Sequence, residues 1–251
     1  MNYIQSANNT HIKQLNKLWT KKERDKTGLY LLEGFHLVEE ALRHKEYIEE
    51  LLLSEEAVPP ASWNVDDLNV TMISADVAKK LSDTENGQGV FALCRKQETA
   101  DLPDGTTFLL LDAVQDPGNI GTMIRTADAA GLDAVLLGHG SGDLYNPKVL
   151  RSAQGSHFHL PVMSMDLMDA IVELNSRNVP VYGTALEGAV DYRETNPGPF
   201  ALIVGNEGSG VRQELLGITT KNVYIPIYGQ SESLNVAVAA GILLYHFREN
   251  N

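Results

Sequence analysis

From Thr106 onward, short unbroken apolar runs recur with helical stretches between them, and few folds accommodate that pattern. The runs are Phe108–Leu111, Ala134–Leu137, His157–Pro161, Val181–Thr184, Ala201–Val204 and Val223–Ile225, and the helical stretches include Gly121–Ala130, Leu167–Asn175 and Leu234–Phe247. A strand that is apolar at every position, rather than at every second one, is buried on both faces. Strands of that kind alternating with helices predict a parallel sheet covered on both sides, an α/β fold. Ligands of such open sheets bind at the carboxyl ends of the strands, so the loops there are where chemistry is sought.

The segment Arg95–Thr106 (RKQETADLPDGT) is charged, poor in apolar residues and punctuated by Pro103 and Gly105. A domain boundary is expected there, dividing the 251 residues into domains 1–97 and 106–251. The first domain also alternates. Asn9 or Thr10 is placed to cap a helix carrying Ile12, Leu15, Leu18 and Trp19 on one side. A strand over Leu29–Glu33, a helix over Phe35–Arg43, and strands over Ile48–Leu53 and Val70–Ile73 follow. Ser74 is an N-cap candidate for a helix over Ala75–Leu81, and a strand over Gly89–Cys94 completes a small α/β domain.

Charge limits the partners. A net charge of −13 argues against indiscriminate nucleic-acid binding, because affinity for phosphate comes from Lys and Arg. The distribution is uneven, however: Lys13, Lys17, Lys21, Lys22, Arg24 and Lys26 crowd one N-terminal segment. Such a run is usually a solvated face, and contact with RNA is the alternative. No apolar stretch approaches the ~18 residues that span a bilayer, and the opening MNYIQSANNTHIKQLNK lacks the apolar core of a secretion signal. The expectation is a soluble, cytoplasmic protein with no membrane partner. Cys94 is the sole cysteine and lies in the run GVFALC, where it reads as a small buried hydrophobe.

Three loops after predicted strands depart from the bland pattern. In LDAVQDPGNIGTMIRTADAAG (111–131), Asn119 and Arg125 are the polar groups best placed near the start of a helix, though Asn119 also suits a cap and Arg125 an exposed surface. Asp112 and Asp116 lack the further Asp or His spacing of a metal site, and no metal is expected. In ALIVGNEGSGV (201–211), Gly205, Gly208 and Gly210 surround Glu207. Their order is neither the dinucleotide fingerprint nor a P-loop, which weakens a nicotinamide-dependent dehydrogenase as a reading. In YIPIYGQSESLNVAVAA (224–240), Ser231 or Ser233 serves as an N-cap, Asn235 falls in the first turn, and a helix rich in small residues follows. Such residues suit close packing against another backbone.

The stretches DPGNIGTMIRTADAAG, IVGNEGSGV and IPIYGQSESLNVAVAAGILLYHF together resemble the SpoU (TrmH-like) family of RNA ribose methyltransferases in the SPOUT superfamily. The likeness extends over residues 106–251. Through SANNTHIKQLNKL and LLEGFHLVEEAL the first domain is similar to that family's substrate-binding domain, which has an L30e-like fold. The resemblance implies a parallel-sheet C-terminal domain threaded as a trefoil knot, a homodimer, and S-adenosylmethionine as cofactor. By motif position it assigns Asn119, Arg125, Glu207, Ser233 and Asn235 to the catalytic set, and Gly205, Ile225 and Leu234 to the cofactor, with Thr184 and Leu186 lining the same pocket. It implies transfer of a methyl group to a ribose 2′-hydroxyl. A free guanidinium is a poor base, so the implied role of Arg125 is either to act with an RNA phosphate or to stabilise the developing alkoxide. If the first domain grips RNA, Lys13, Lys17, Lys21, Lys22 and Arg24 are candidate phosphate contacts, and Arg151 is a candidate near the active site. His157 and His159 alternate along a predicted strand, where a structural histidine is the simpler reading.

The L30e-like domain favours 23S rRNA as substrate over tRNA. Competing readings are a tRNA ribose methyltransferase, an RNA-binding homologue without activity, a dehydrogenase, and methylation of a base instead of a ribose.

Overall fold

Alternation of apolar runs and capped helices produces two separately packed sheets. The computed structural model describes residues 2–97 and 101–248. The chain groups into a first unit, Met1–Glu98 with Tyr145–Phe158, and a second, Thr99–Leu144 with His159–Asn251.

The first unit contains β1 (Asn2–Ile4), α1 (Thr10–Lys17), α2 (Lys21–Thr27), β2 (Leu29–Glu33), α3 (Phe35–Leu42), β3 (Ile48–Ser54), β4 (Val70–Ile73), α4 (Ala75–Leu81) and β5 (Val90–Arg95). Its sheet runs β1-β4-β3-β5-β2. β1, β4 and β3 are parallel, and β5 is antiparallel to β3 and β2. Two caps read from the sequence are in place: Asn9 Oδ1 accepts from the His11 amide at 2.8 Å, and Ser74 Oγ from the Val77 amide at 3.3 Å. Ile12, Leu15 and Leu18 from the first helix share one core with Val77, Ala78 and Leu81 from α4 and with Leu31, Leu52, Ile73 and Phe91 from the sheet. Burying a side chain of this kind stabilises by about 1.5–3 kcal/mol. Cys94 is buried, and burial pushes its thiol well above the usual range, leaving it inert.

The second unit carries β6 (Thr107–Asp112), α5 (Pro117–Ala129) and β7 (Ala134–Leu137). The chain then crosses to the first unit, where it forms α6 (Pro147–Ala153), before returning as β8 (Val162–Ser164) and α7 (Leu167–Ser176). β9 (Val181–Thr184), β10 (Val190–Asp191), β11 (Phe200–Gly205), α8 (Gln213–Leu216), β12 (Lys221–Tyr224) and α9 (Val236–Arg248) complete it. The sheet order is β10-β12-β9-β11-β6-β7-β8, with every pairing parallel. Each residue of the central strands β6 and β11 is buried, as unbroken apolar runs require. The small residues of α9 are used within the chain: Ala240 is fully buried, a side chain at Gly241 would meet Thr126 of α5, and Arg248 Nε donates to the Ala130 carbonyl at 2.8 Å.

One predicted strand is absent. His157–Pro161 forms no strand: Ser156–Phe158 is a single 3-10 turn, and β8 begins only at Val162. Gly155 turns the backbone with φ +92°, where a side chain would collide with Glu40, and Pro161 has no amide to give to a ladder. His157 and His159 therefore do not share a strand face. His157 Nε2 lies 3.2 Å from Tyr30 Oη in the first unit, and His159 Nδ1 lies 2.8 Å from Asp128 Oδ2 in the second. Helix α6 starts behind Asn146–Pro147, a cap followed by proline at the first helical position, and no helix was expected there.

Candidate active site

The carboxyl edge of the second sheet is organised by residues far apart in sequence. β6 ends on Asp112, whose Cα is in register with Gly205 at the end of β11. A fully buried carboxylate needs a partner, and Asp112 has one: Oδ2 accepts from the Arg212 amide at 2.8 Å and Oδ1 from Arg212 Nε at 2.8 Å. Gly205 is obligatory, because a Cβ there would overlap the backbone of Gly210 and Val211. Asn206 braces the glycine loop, donating from Nδ2 to the Ala113 carbonyl at 2.9 Å and accepting at Oδ1 from the amides of Gly208 (2.9 Å) and Ser209 (3.1 Å).

The next residue, Glu207, joins this loop to the start of α5. Its carboxylate accepts from the amides of Gln115 (3.3 Å) and Asp116 (3.1 Å) and from Asn119 Nδ2 (3.1 Å). Partial burial works against the charged form, but the bonds from Asn119 and the two amides outweigh it, holding the carboxyl below the usual glutamate range. Asn119 Oδ1 in turn accepts from Asn235 Nδ2 at 3.0 Å. Asn235 Oδ1 accepts from the amides of Ala237 (2.9 Å) and Val238 (3.3 Å). One chain of hydrogen bonds thus links all three loops singled out in the sequence.

These contacts revise two caps. Asp116, followed by Pro117, caps α5 by accepting from the Asn119 amide at 2.9 Å, so the Asn119 side chain is left for Glu207 and Asn235. Asn235 itself caps α9, and Ser231 instead donates to the Ser233 carbonyl at 2.8 Å. Asn206 and Arg212 escaped sequence reasoning, and Asp112 was weighed there only as a metal ligand. An aspartate closing an otherwise apolar strand was the available signal for the structural role of Asp112.

The remaining candidates are distributed along the same edge. Thr184 ends β9, donates from Oγ1 to the Ile203 carbonyl at 3.1 Å, and is in register with Val223 of β12. Ile225 is the residue after β12. Leu186 is 75% exposed and Leu234 37%. Arg125 stands exposed on α5 and makes no hydrogen bond or ion pair among the described residues. Ser233 is exposed, and its side chain takes no part in the Glu207 network.

The basic candidates divide. Lys13, Lys17 and Lys22 are exposed. Lys21 is also exposed but faces Asp25 at 2.6 Å. Arg24 is 2% exposed and donates from Nη1 to the Leu18 carbonyl at 2.7 Å, so it is a core residue and not a phosphate contact. Arg151 sits on α6 in the first unit, paired with Asp83 at 2.9 Å.

An all-parallel sheet with its polar network on the carboxyl edge makes the second unit an open α/β domain that binds its ligand at that edge. The structure of an AdoMet-bound rRNA methyltransferase from Sinorhizobium meliloti matches with a TM-score of 0.87 and 31% identity, covering 99% of this chain and 97% of that one. Residues 106–245 match the SpoU rRNA Methylase family and residues 9–92 the MRM3-like substrate binding domain. The chain belongs to the SpoU family of methyltransferases. It is 51% identical over 249 residues to the 23S rRNA (guanosine(2553)-2′-O)-methyltransferase RlmP of Bacillus subtilis (strain 168), covering 99% of this chain and 100% of that protein. It is 35% identical to the 23S rRNA (guanosine-2′-O-)-methyltransferase RlmB of Ralstonia nicotianae, covering 86% of this chain and 93% of that protein. It is therefore an enzyme, and the dehydrogenase reading is set aside.

Proposed function

We propose that this enzyme transfers the methyl group of S-adenosylmethionine to a ribose 2′-hydroxyl of 23S rRNA. The observation that carries this reading is the Glu207–Asn119–Asn235 chain, which gathers the three family motifs at one sheet edge. Substrate choice rests on the relatives named for 23S rRNA and on the matching substrate-binding domain. Residues 1–97 take the role of RNA-binding domain and 106–251 that of catalytic domain.

The edge suits the cofactor. Leu186, Leu234 and Tyr228 stand exposed there, as contact with a flat adenine requires, and the glycine loop at Gly205 leaves backbone open to close approach. Thr184, Leu186, Gly205, Ile225 and Leu234 would hold S-adenosylmethionine, which supplies an electrophilic methyl group on a sulfonium. The protein's task is to align the 2′-oxygen and assist loss of its proton. Arg125 performs that task, either with an RNA phosphate or by stabilising the alkoxide as it forms. Glu207, Asn119 and Asn235 keep the loops in position around it, and Ser233 faces the substrate.

Two further features belong to the proposal. The C-terminal segment is threaded as the family's trefoil knot. The enzyme is a homodimer joined through Val238, Ile242 and Tyr245, which leave an exposed apolar stripe on α9 while the opposite side packs on α5. No helix among the described residues is long and apolar enough to cross a membrane, in keeping with a cytoplasmic place of work.

The test compares 2′-O-methylation maps of ribosomal and transfer RNA from cells with and without the gene, complemented by wild type or Arg125→Lys. Loss of one 23S rRNA methyl group, restored by wild type and not by Arg125→Lys, is expected. A missing tRNA methyl group would redirect the substrate, and a native rate for Arg125→Lys would overturn the role of Arg125.

A further inference from the structure

Six basic side chains of the first unit face carboxylates. Lys21 and Lys96 face Asp25, Lys26 faces Glu23, Arg43 faces Glu40, Arg95 faces Glu49 and Arg151 faces Asp83. Lys13, Lys17, Lys22, Lys79 and Lys80 are exposed and have no ion-pair partner among the described residues, and all of them except Lys22 lie on α1 and α4. Even Asp76, one turn before Lys79 and Lys80, is paired with neither.

The four on α1 and α4 are not scattered. Lys13 and Lys17 are four residues apart on α1 and so share a face. Lys79 and Lys80 occupy the last turn of α4. The two helices pack on the same core, and their ends are tied together: Asn16 Nδ2 donates to the Lys80 carbonyl at 3.3 Å and Trp19 Nε1 to the Leu81 carbonyl at 2.8 Å. Lysines in a last turn also complement the helix dipole, which accounts for Lys17, Lys79 and Lys80 singly. It does not account for Lys13, nor for gathering four lysines on tied helices whose one carboxylate, Asp76, pairs with none of them, in a chain of net charge −13. Unscreened like charges within a Debye length of about 10 Å repel one another, and a bound polyanion turns that repulsion into attraction.

We propose that Lys13, Lys17, Lys79 and Lys80 form one phosphate-binding ridge across α1 and α4, which grips the RNA backbone without reading its sequence. The identity of the polyanion as RNA rests on the function proposed above. The ridge adds Lys79 and Lys80, which the N-terminal basic run does not contain, and leaves out Lys21 and Arg24.

The experiment measures binding of full-length enzyme to protein-free 23S rRNA between about 50 and 200 mM KCl. Lys79→Gln/Lys80→Gln and Lys13→Gln/Lys17→Gln are each expected to lower the slope of log affinity against log salt by about 1.5, close to one counterion per lysine. Each is also expected to raise the KM for RNA while kcat at saturating RNA is retained. Lys26→Gln removes one charge that already faces Glu23 and serves as the control. A slope equal to wild type in either double variant overturns the ridge, even if its melting temperature falls, because a dipole role moves stability and not counterion release. A lowered slope in a protein that methylates no RNA upholds the ridge and refutes the methylation reading.

Discussion

The carboxyl edge of the second unit and the lysine ridge of the first solve different problems with different forces. At the edge, Glu207 is held by three donors, Asn119 is bonded on both sides of its amide, and Asn235 is at once a helix cap and a bridge. These forces are short-ranged and directional, and they place atoms. On the ridge, four lysines on solvated helix faces are bonded to nothing that would orient them. Their force is long-ranged, screened by salt and indifferent to angle. Methyl transfer fails when reacting centres are misplaced by about 1 Å, whereas holding a polyanion requires only charge of the right sign and density. An acidic protein can therefore act on RNA, since net charge is a poor guide once the basic residues are locally uncompensated.

The contrast can be broken most forcefully at Arg125. Arg125→Ala is expected to lower kcat by about 10²–10³-fold, the usual cost of losing one donor to a developing oxyanion, with calorimetric affinity for S-adenosylmethionine retained. Unchanged kcat would mean that the edge does not carry the chemistry. Glu207→Gln comes next. The amide keeps the shape but sets an N–H against the donors of Gln115, Asp116 and Asn119, so a fall in kcat of about 10-fold is expected from displaced loops, with RNA affinity unaltered. A matching loss of RNA affinity would show that the two regions are not independent.

Ser74→Ala probes the opposite side of the comparison. Removing the cap of α4 is expected to cost about 1 kcal/mol, read as a lower unfolding midpoint of the first unit, with kcat at saturating RNA unchanged. The smallest effect is expected from pH. The Glu207 carboxyl lies below its ordinary value, so its contribution is complete above the unfolded value and is lost as pH falls through the lowered folded one. Thermal scans from about pH 7 to 3 should therefore show the second unit losing stability only at the acid end, below the ordinary glutamate value. Loss beginning near neutrality would assign the dependence to another group.

Much of the architecture was legible because local patterns suffice for it. The unbroken runs Ala134–Leu137 and Val181–Thr184 are β7 and β9 residue for residue, and Ser74 caps α4 as its position suggests. The misreadings share a cause. His157–Pro161 looks like a strand in isolation, but Gly155 and Pro161 bend it into a turn whose buried side chains serve the first unit. Arg24 looks like its lysine neighbours, yet it is packed under the chain and bonded to Leu18. Ser231 or Ser233 looks like the cap of the last helix, with Asn235 in its first turn, yet Asn235 is the cap, and its amide also reaches Asn119.

By itself the order of residues determined the α/β class, the positions of most strands and helices, and which three loops deserved inspection, since hydrophobic period and capping chemistry act over a few residues. Only the tertiary structure decided that Glu207 bonds Asn119 across 88 positions and Asn235 bonds Asn119 across 116. It also decided that Asp112 is neutralised by Arg212, and that the lysines of the ridge come from two helices. Partnerships of that kind depend on where strands end in a folded sheet and on how helices pack over it, and neither is written in any local stretch of the chain.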